Sequence, residues 1–163
     1  MANDRLEERS GAAHPALRTV TIADLAEILD QLEDFWQEGR DMGFLHQALY
    51  VHEFGETSVL AERDGRIAGY LLGFLAPGGY GYIHAVGVRA EERGRGLGRL
   101  MYERFATLAE ARGAKSLKAI TAPENSDSRA FHLAVGFTEE LVEGYSPSGG
   151  ARIVFRRALS AQP

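Results

Sequence analysis

The run RAEERGRGLGRLMYERF, residues 89–105, constrains this chain more than any other stretch. Three glycines alternate with arginines, and an amphipathic helical pattern begins directly after them. In front stands the strand-like YGYIHAVGV, residues 80–88. A strand that turns through glycines into a helix leaves the first N–H groups of that helix free, and the helix dipole favours an anion before them. Glycine also lets the backbone approach a ligand closely and adopt positive φ. A pyrophosphate is the natural guest, and arginines add charge-assisted contacts. The alternative is a flexible strand-to-helix turn with solvated arginines.

Two common phosphate motifs fail here. A P-loop needs Gly-x-x-x-x-Gly-Lys followed by Ser or Thr, and no such Lys exists. The dinucleotide fingerprint from Gly94 and Gly96 requires glycine at position 99, which is Arg99. What remains is Arg-x-x-Gly-x-Gly, formed by Arg93, Gly96 and Gly98. The net charge of −5 argues against a nucleic-acid binder, so Arg89, Arg93, Arg95 and Arg99 stand out as a local anion site. The chain has no cysteine, which removes disulfides, zinc–thiolate sites and thiol nucleophiles and suits a reducing, cytoplasmic setting. No apolar run is long enough to span a membrane.

At 163 residues, with 45% hydrophobic content, one domain with a real core is expected over residues 16–160. Residues 1–15 are charged, lack an apolar stretch and read as a mobile tail rather than a secretory signal. ALRTV reads as a short first strand, and Thr21 can cap a helix whose apolar residues run from Leu25 to Trp36 at helical spacing. Residues 39–54 give a weaker helical pattern. TSVLAER and RIAGYLLGFL flank Asp64-Gly65, a strong hairpin signal. After the loop, Leu97, Leu100, Met101, Phe105, Leu108 and Ala109 share one helix face, which stops near Gly113. SLKAITA reads as a strand, NSDSRAFHLAVG as a short helix, and FTEELVEGY and ARIVFRRAL as a closing hairpin. The order predicts a mixed α/β (α+β) domain with a largely antiparallel first half.

These segments resemble the GNAT superfamily of acetyl-CoA-dependent N-acetyltransferases. The loop from Arg93 to Gly98 is similar to that superfamily's [Arg/Gln]-x-x-Gly-x-[Gly/Ala] motif, HAVGVRAEE to its fourth strand, and NSDSRAFHLAVGF to its Asn-initiated helix that runs into Gly-Phe. The resemblance implies a mostly antiparallel sheet of about seven strands with about four helices. Strands four and five would splay apart around acetyl-CoA. It further implies that Val86, Gly87 and Val88 offer main-chain groups to the pantetheine arm, as an added strand does at a sheet edge. Arg93 and the amides of Gly94, Arg95, Gly96, Leu97, Gly98 and Arg99 would hold the pyrophosphate. Asn125 would contact the pantetheine, alongside or instead of capping its helix, and Ser128 would lie near the cofactor. The implied acceptor is a primary amine on a small molecule or peptide, with no nucleic acid, membrane or metal involved; the resemblance also allows a homodimer.

Acetyl transfer to an amine needs a base, an oxyanion donor and a leaving thiolate that can take a proton. A main-chain N–H at Val86 or Gly87, freed by a strand bulge, is a candidate oxyanion donor. His84 stands where many family members carry a glutamate base, so it is either the base, directly or through water, or a packed strand histidine. Regular alternation would put residues 84, 86 and 88 on one face, unless a bulge intervenes. His132 stands where the family more often has a tyrosine acid; it either protonates the leaving sulfur or simply lines its pocket. Tyr80, Tyr82 and Tyr145 are fallback donors. Trp36, Phe44, His46, Tyr50, His52 and Glu53 either line the acceptor pocket or pack the core. The two histidine substitutions also allow a coenzyme A-binding regulatory module with little catalysis.

Overall fold

In a computed structural model, residues 14–36 and 41–160 are described. The expected tail therefore lies, apart from His14 and Pro15, outside the described residues. The seven strands are β1 (Ala16–Arg18), β2 (Val59–Arg63), β3 (Arg66–Ala76), β4 (Tyr80–Val88), β5 (Ser116–Thr121), β6 (Thr138–Val142) and β7 (Arg152–Ala158). They form one sheet in the order β1-β2-β3-β4-β5-β7-β6. Every pairing is antiparallel except β4 with β5. The β2–β3 hairpin turns at Asp64 and Gly65, with φ of 52° and 72°. Both central residues thus carry the positive φ that a two-residue hairpin requires.

The helices are α1 (Ile22–Asp30), α2 (Leu32–Phe35), α3 (Leu49–His52), α4 (Leu97–Glu110) and α5 (Ser126–Ala134). Thr21 caps α1 in a reciprocal box with Asp24, and the Arg18 guanidinium holds the Asp24 carboxyl down to about 2. The single helix expected to reach Trp36 is instead broken at Gln31, whose φ and ψ of −119° and 26° leave the helical region. The cause is tertiary, since Arg89 draws Gln31 and Asp34 toward the end of β4.

Helix α4 packs on one face of the sheet through Leu97, Met101, Tyr102, Phe105, Ala106 and Ala109. Leu100, expected on that face, is 40% exposed because Tyr102 takes the inward position. Phe105 is fully buried, worth about 2–3 kcal/mol. It fits because a Cβ at Gly73 would sit 2.7 Å from its ring and one at Gly81 3.0 Å. These two glycines form the groove that brings α4 close to β3 and β4. On the opposite face, α1, α2 and α3 cover a second cluster that includes Ile28, Phe35, Leu60, Tyr70 and Leu72.

Candidate active site

Strands β4 and β5 pair only over Tyr80–Tyr82 and Ser116–Lys118. Beyond that they diverge, as the splayed fourth and fifth strands led us to expect. The gap is a cleft of ≈ 450 Å³, walled by β4 from Ile83 onward, by Ala119 to Ala122, by Asn125 and Ser128 of the α5 start, and by Phe35 and Trp36. The glycine loop stands at one end, where Arg93 and Gly98 line the cleft.

Gly94 and Gly96 have φ of 73° and 81°, and Gly96 caps α4 in the left-handed conformation. Glu92 N–H donates to Arg89 and Arg93 N–H to Ala90, and the next main-chain donor with a partner is Leu100, to Gly96. Among the described residues, the N–H groups from Gly94 to Arg99 donate to no main-chain carbonyl. Six successive free donors at the start of a fourteen-residue helix leave a cradle of main-chain N–H groups that could hold an anion. The arginines around it behave differently from one another. Arg89 is not part of an anion site: it is 3% exposed, and its guanidinium bonds Ile67 O at 2.6 Å, Asp34 at 2.6 Å and Gln31. Arg93 donates to Val88 O and Phe35 O. Arg95 pairs with Glu92 at 3.4 Å, and Arg99 donates to Ala134 O at the far end of α5.

The register of β4 on β3 decides which main-chain groups face the cleft. Arg89 N–H donates to Ala68 O, so the pair 89–68 is hydrogen-bonded. Alternation then makes 87–70 bonded and leaves 88–69 and 86–71 non-bonded. Val86 and Val88 therefore turn their N–H and C=O toward the open edge. Gly87 turns its own into β3, which removes it as an oxyanion donor and as a pantetheine partner. Its glycine identity has a steric reason instead, because a Cβ there would lie 2.5 Å from the Tyr70 ring.

The register slips between Leu72 opposite Ala85 and Gly73 opposite Ile83, so His84 is the extra residue of a β-bulge. The bulge breaks the alternation. Val86 and Val88 pack toward α4, whereas His84 turns toward the α3 side, stacked on Tyr50 at 4.2 Å. Its Nε2–H donates to Leu45 O at 3.0 Å. A carbonyl can only accept, so Nε2 carries a proton, and in the neutral ring Nδ1 keeps its lone pair. Burial pushes this imidazole below its ordinary pKa, partly offset by the Leu45 bond. His84 thus lines the cleft, and its Nε2 is held by Leu45.

His132 is 6% exposed and stacked on Phe155 at 3.9 Å. Its Nδ1–H donates to Ser128 O at 2.8 Å, and Nε2 accepts from the Tyr102 hydroxyl at 3.0 Å. Both ring nitrogens are engaged within the fold, and burial lowers the pKa. Tyr102 also lines the cleft, with burial raising its phenol pKa. Tyr102 belongs to none of the motifs above. Its signal is the i, i+4 spacing from Gly98, which puts both on one helix face. Asn125, which lines the cleft, caps α5 by accepting from Ser128 N–H at 3.2 Å and donates to Thr121 at 3.0 Å.

The acceptor-side candidates divide between the cleft, the core and the surface. Trp36 lines the cleft with Phe35, Met42 and Leu45. Phe44 is 66% exposed, and His52 and Glu53 are also at the surface. His46 is buried beneath the wall: its Nδ1–H donates to Met42 O, and its Nε2 accepts from Tyr70, which itself accepts from Trp36 Nε1–H at 2.8 Å. The fallback tyrosines 80, 82 and 145 do not line the cleft.

The free amides at the start of α4 thus stand beside a half-open parallel strand pair, and His84 lines the cleft between the strands. The acetyltransferase (GNAT) family model matches residues 24–137. The chain belongs to that family. It is 30% identical over 139 residues to L-2,4-diaminobutyric acid acetyltransferase of Nocardia farcinica, covering 80% of this chain and 67% of that protein. The enzyme of the same name from Virgibacillus pantothenticus is 30% identical over 95 residues, 57% of this chain and 58% of that one. Among solved structures, one assigned to the GNAT family from Desulfovibrio desulfuricans has a TM-score of 0.76 at 21% identity, covering 90% of this chain and 99% of that. An acetyltransferase structure from Salmonella typhimurium with its cofactor acetyl-CoA has a TM-score of 0.66 at 18% identity, covering 93% and 97%. Both share the fold. Among the described residues no helix is long and apolar enough to cross a membrane.

Proposed function

We propose that this chain transfers the acetyl group of acetyl-CoA to a primary amine on a short aliphatic molecule, by direct attack within a ternary complex. The observation that carries the reading is the row of six free amides at residues 94–99 beside the splayed strands. Those amides take the diphosphate, with the edge groups of Val86 and Val88 and the amide of Asn125 along the pantetheine. Ser128 lies beside that arm. Two relatives act, by name, on L-2,4-diaminobutyric acid, a short diamine, which supports a small amine acceptor.

His84 Nδ1 takes the proton of the attacking amine, directly or through one water. The amine nitrogen bonds to the thioester carbon, and the Val86 N–H stabilises the oxyanion. Collapse breaks the C–S bond, and the proton accepted by His84 passes through solvent to the thiolate as coenzyme A leaves. His132 enters as the group that orients the Tyr102 hydroxyl at the cleft wall. A homodimer and a cytoplasmic location belong to the same proposal, the latter supported by the cysteine-free sequence.

The test is thiol release from acetyl-CoA with a panel of amines that includes L-2,4-diaminobutyrate and a short peptide. Turnover that falls about a hundredfold or more in His84→Ala supports the reading. Coenzyme A binding with no turnover on any amine would leave the regulatory-module reading standing instead.

A further inference from the structure

We infer that Arg93 is a positioning residue for the acceptor wall rather than a ligand of the diphosphate, and that with Arg89 it fastens this wall to the amide loop. The inference rests on the cleft assignment above. Helix α2 has four residues, so its last carbonyls have no helical partner of their own. Arg93 Nη2–H fills that place on Phe35 O at 2.8 Å, while its Nε–H donates to Val88 O at 3.2 Å. One guanidinium therefore bridges the end of α2 to the end of β4. Four residues earlier, Arg89 holds the same residue from another side, its guanidinium 4.7 Å from the centre of the Phe35 ring. The two arginines flank the short turn Ala90–Glu92, which feeds directly into the free amides.

Phe35 and Trp36 are the part of the α1–α2 segment that lines the cleft. Their placement thus depends on side chains from the loop that grips the other substrate. A diphosphate ligand at position 93 would need its planar fork turned to the anion. Here the fork is turned to two main-chain carbonyls, a task that needs donors but no charge. Glutamine can supply such a donor; alanine cannot.

Trp36 is the only tryptophan of the chain, so its fluorescence reads the wall directly. The experiment compares wild type, Arg93→Ala and Arg93→Gln by acrylamide quenching of Trp36 without ligand and by calorimetric titration with coenzyme A. In Arg93→Ala we expect quenching to rise about twofold as the released wall gains exposure. Coenzyme A affinity should stay within about threefold of wild type, and Arg93→Gln should restore wild-type quenching. The inference is overturned if coenzyme A affinity falls about tenfold or more in both variants while quenching stays at the wild-type value. If wild type binds no coenzyme A, the cleft assignment fails, and quenching alone still decides whether Arg93 holds the wall. If Arg93→Ala does not fold, Arg93→Gln decides: wild-type affinity and quenching support the inference, and a tenfold loss of affinity sinks it.

Discussion

Replacing Gly87 by alanine tests how the site is built, because sequence and structure give this residue different tasks. A Cβ at this position would lie 2.5 Å from Tyr70 Cε1, 2.6 Å from Cζ and 2.8 Å from the hydroxyl oxygen. The ring has little room to retreat. It is fully buried, Phe35 meets it edge-on at 5.2 Å, and its hydroxyl is bonded to Trp36 at 2.8 Å and His46 at 2.7 Å. Overpacking of this kind costs about 1–3 kcal/mol. Displacing the hydroxyl adds about 1 kcal/mol for each of the two bonds lost, for a total of about 3–5 kcal/mol. For a domain of this size that lowers Tm by roughly 10 °C. Calorimetric melting of Gly87→Ala, Tyr70→Leu and the double variant checks it. The double variant should recover part of the loss, with a coupling of about 1 kcal/mol or more. Coenzyme A affinity of folded Gly87→Ala should be unchanged, since the main-chain groups of Gly87 belong to β3. A variant that melts with wild type, or that loses coenzyme A without a change in Tm, would refute the reasoning.

Because burial lowers the His84 pKa, its neutral form persists below pH 6.5, and the acidic limb of the kcat profile should lie below that value. His84→Ala should remove this acidic limb together with most of the rate, as a pH–rate profile will show. His46, His84 and His132 are all depressed by burial. The unfolded chain therefore binds more protons at mildly acid pH, and stability present above about pH 6.5 should be lost as pH falls through the folded-state values. Melting scans from pH 7.5 to about 5 read this directly. Asn125→Ala removes a cap and the bond to Thr121, and should cost about 1 kcal/mol, or roughly 2–4 °C in Tm.

Local signals carried much of the architecture into the sequence. Asp64-Gly65 announces its hairpin because only such residues take positive φ at both turn positions, and the glycine–arginine run announces its cradle for a similar reason. All seven strands sit where alternation and turn residues put them. What the sequence hides is set by distant partners. The break at Gln31 is made by Arg89, fifty-eight residues away. The inward position of Tyr102, at the expense of Leu100, depends on His132 meeting its hydroxyl across the interface with α5. The face that His84 occupies turns on a one-residue bulge, which leaves no mark in a run as regular as YGYIHAVGV. Likewise, four arginines within eleven residues read as one patch of charge, yet only the fold shows that Arg89 points inward.

The most direct measurement follows the backbone ¹H–¹⁵N resonances of residues 94–99 during titration with coenzyme A, and in parallel with pantetheine, which lacks the diphosphate. The account predicts that coenzyme A moves these amides strongly downfield while pantetheine leaves them in place and perturbs Val86 and Val88. Amides of 94–99 that stay put while coenzyme A saturates the protein elsewhere would contradict it.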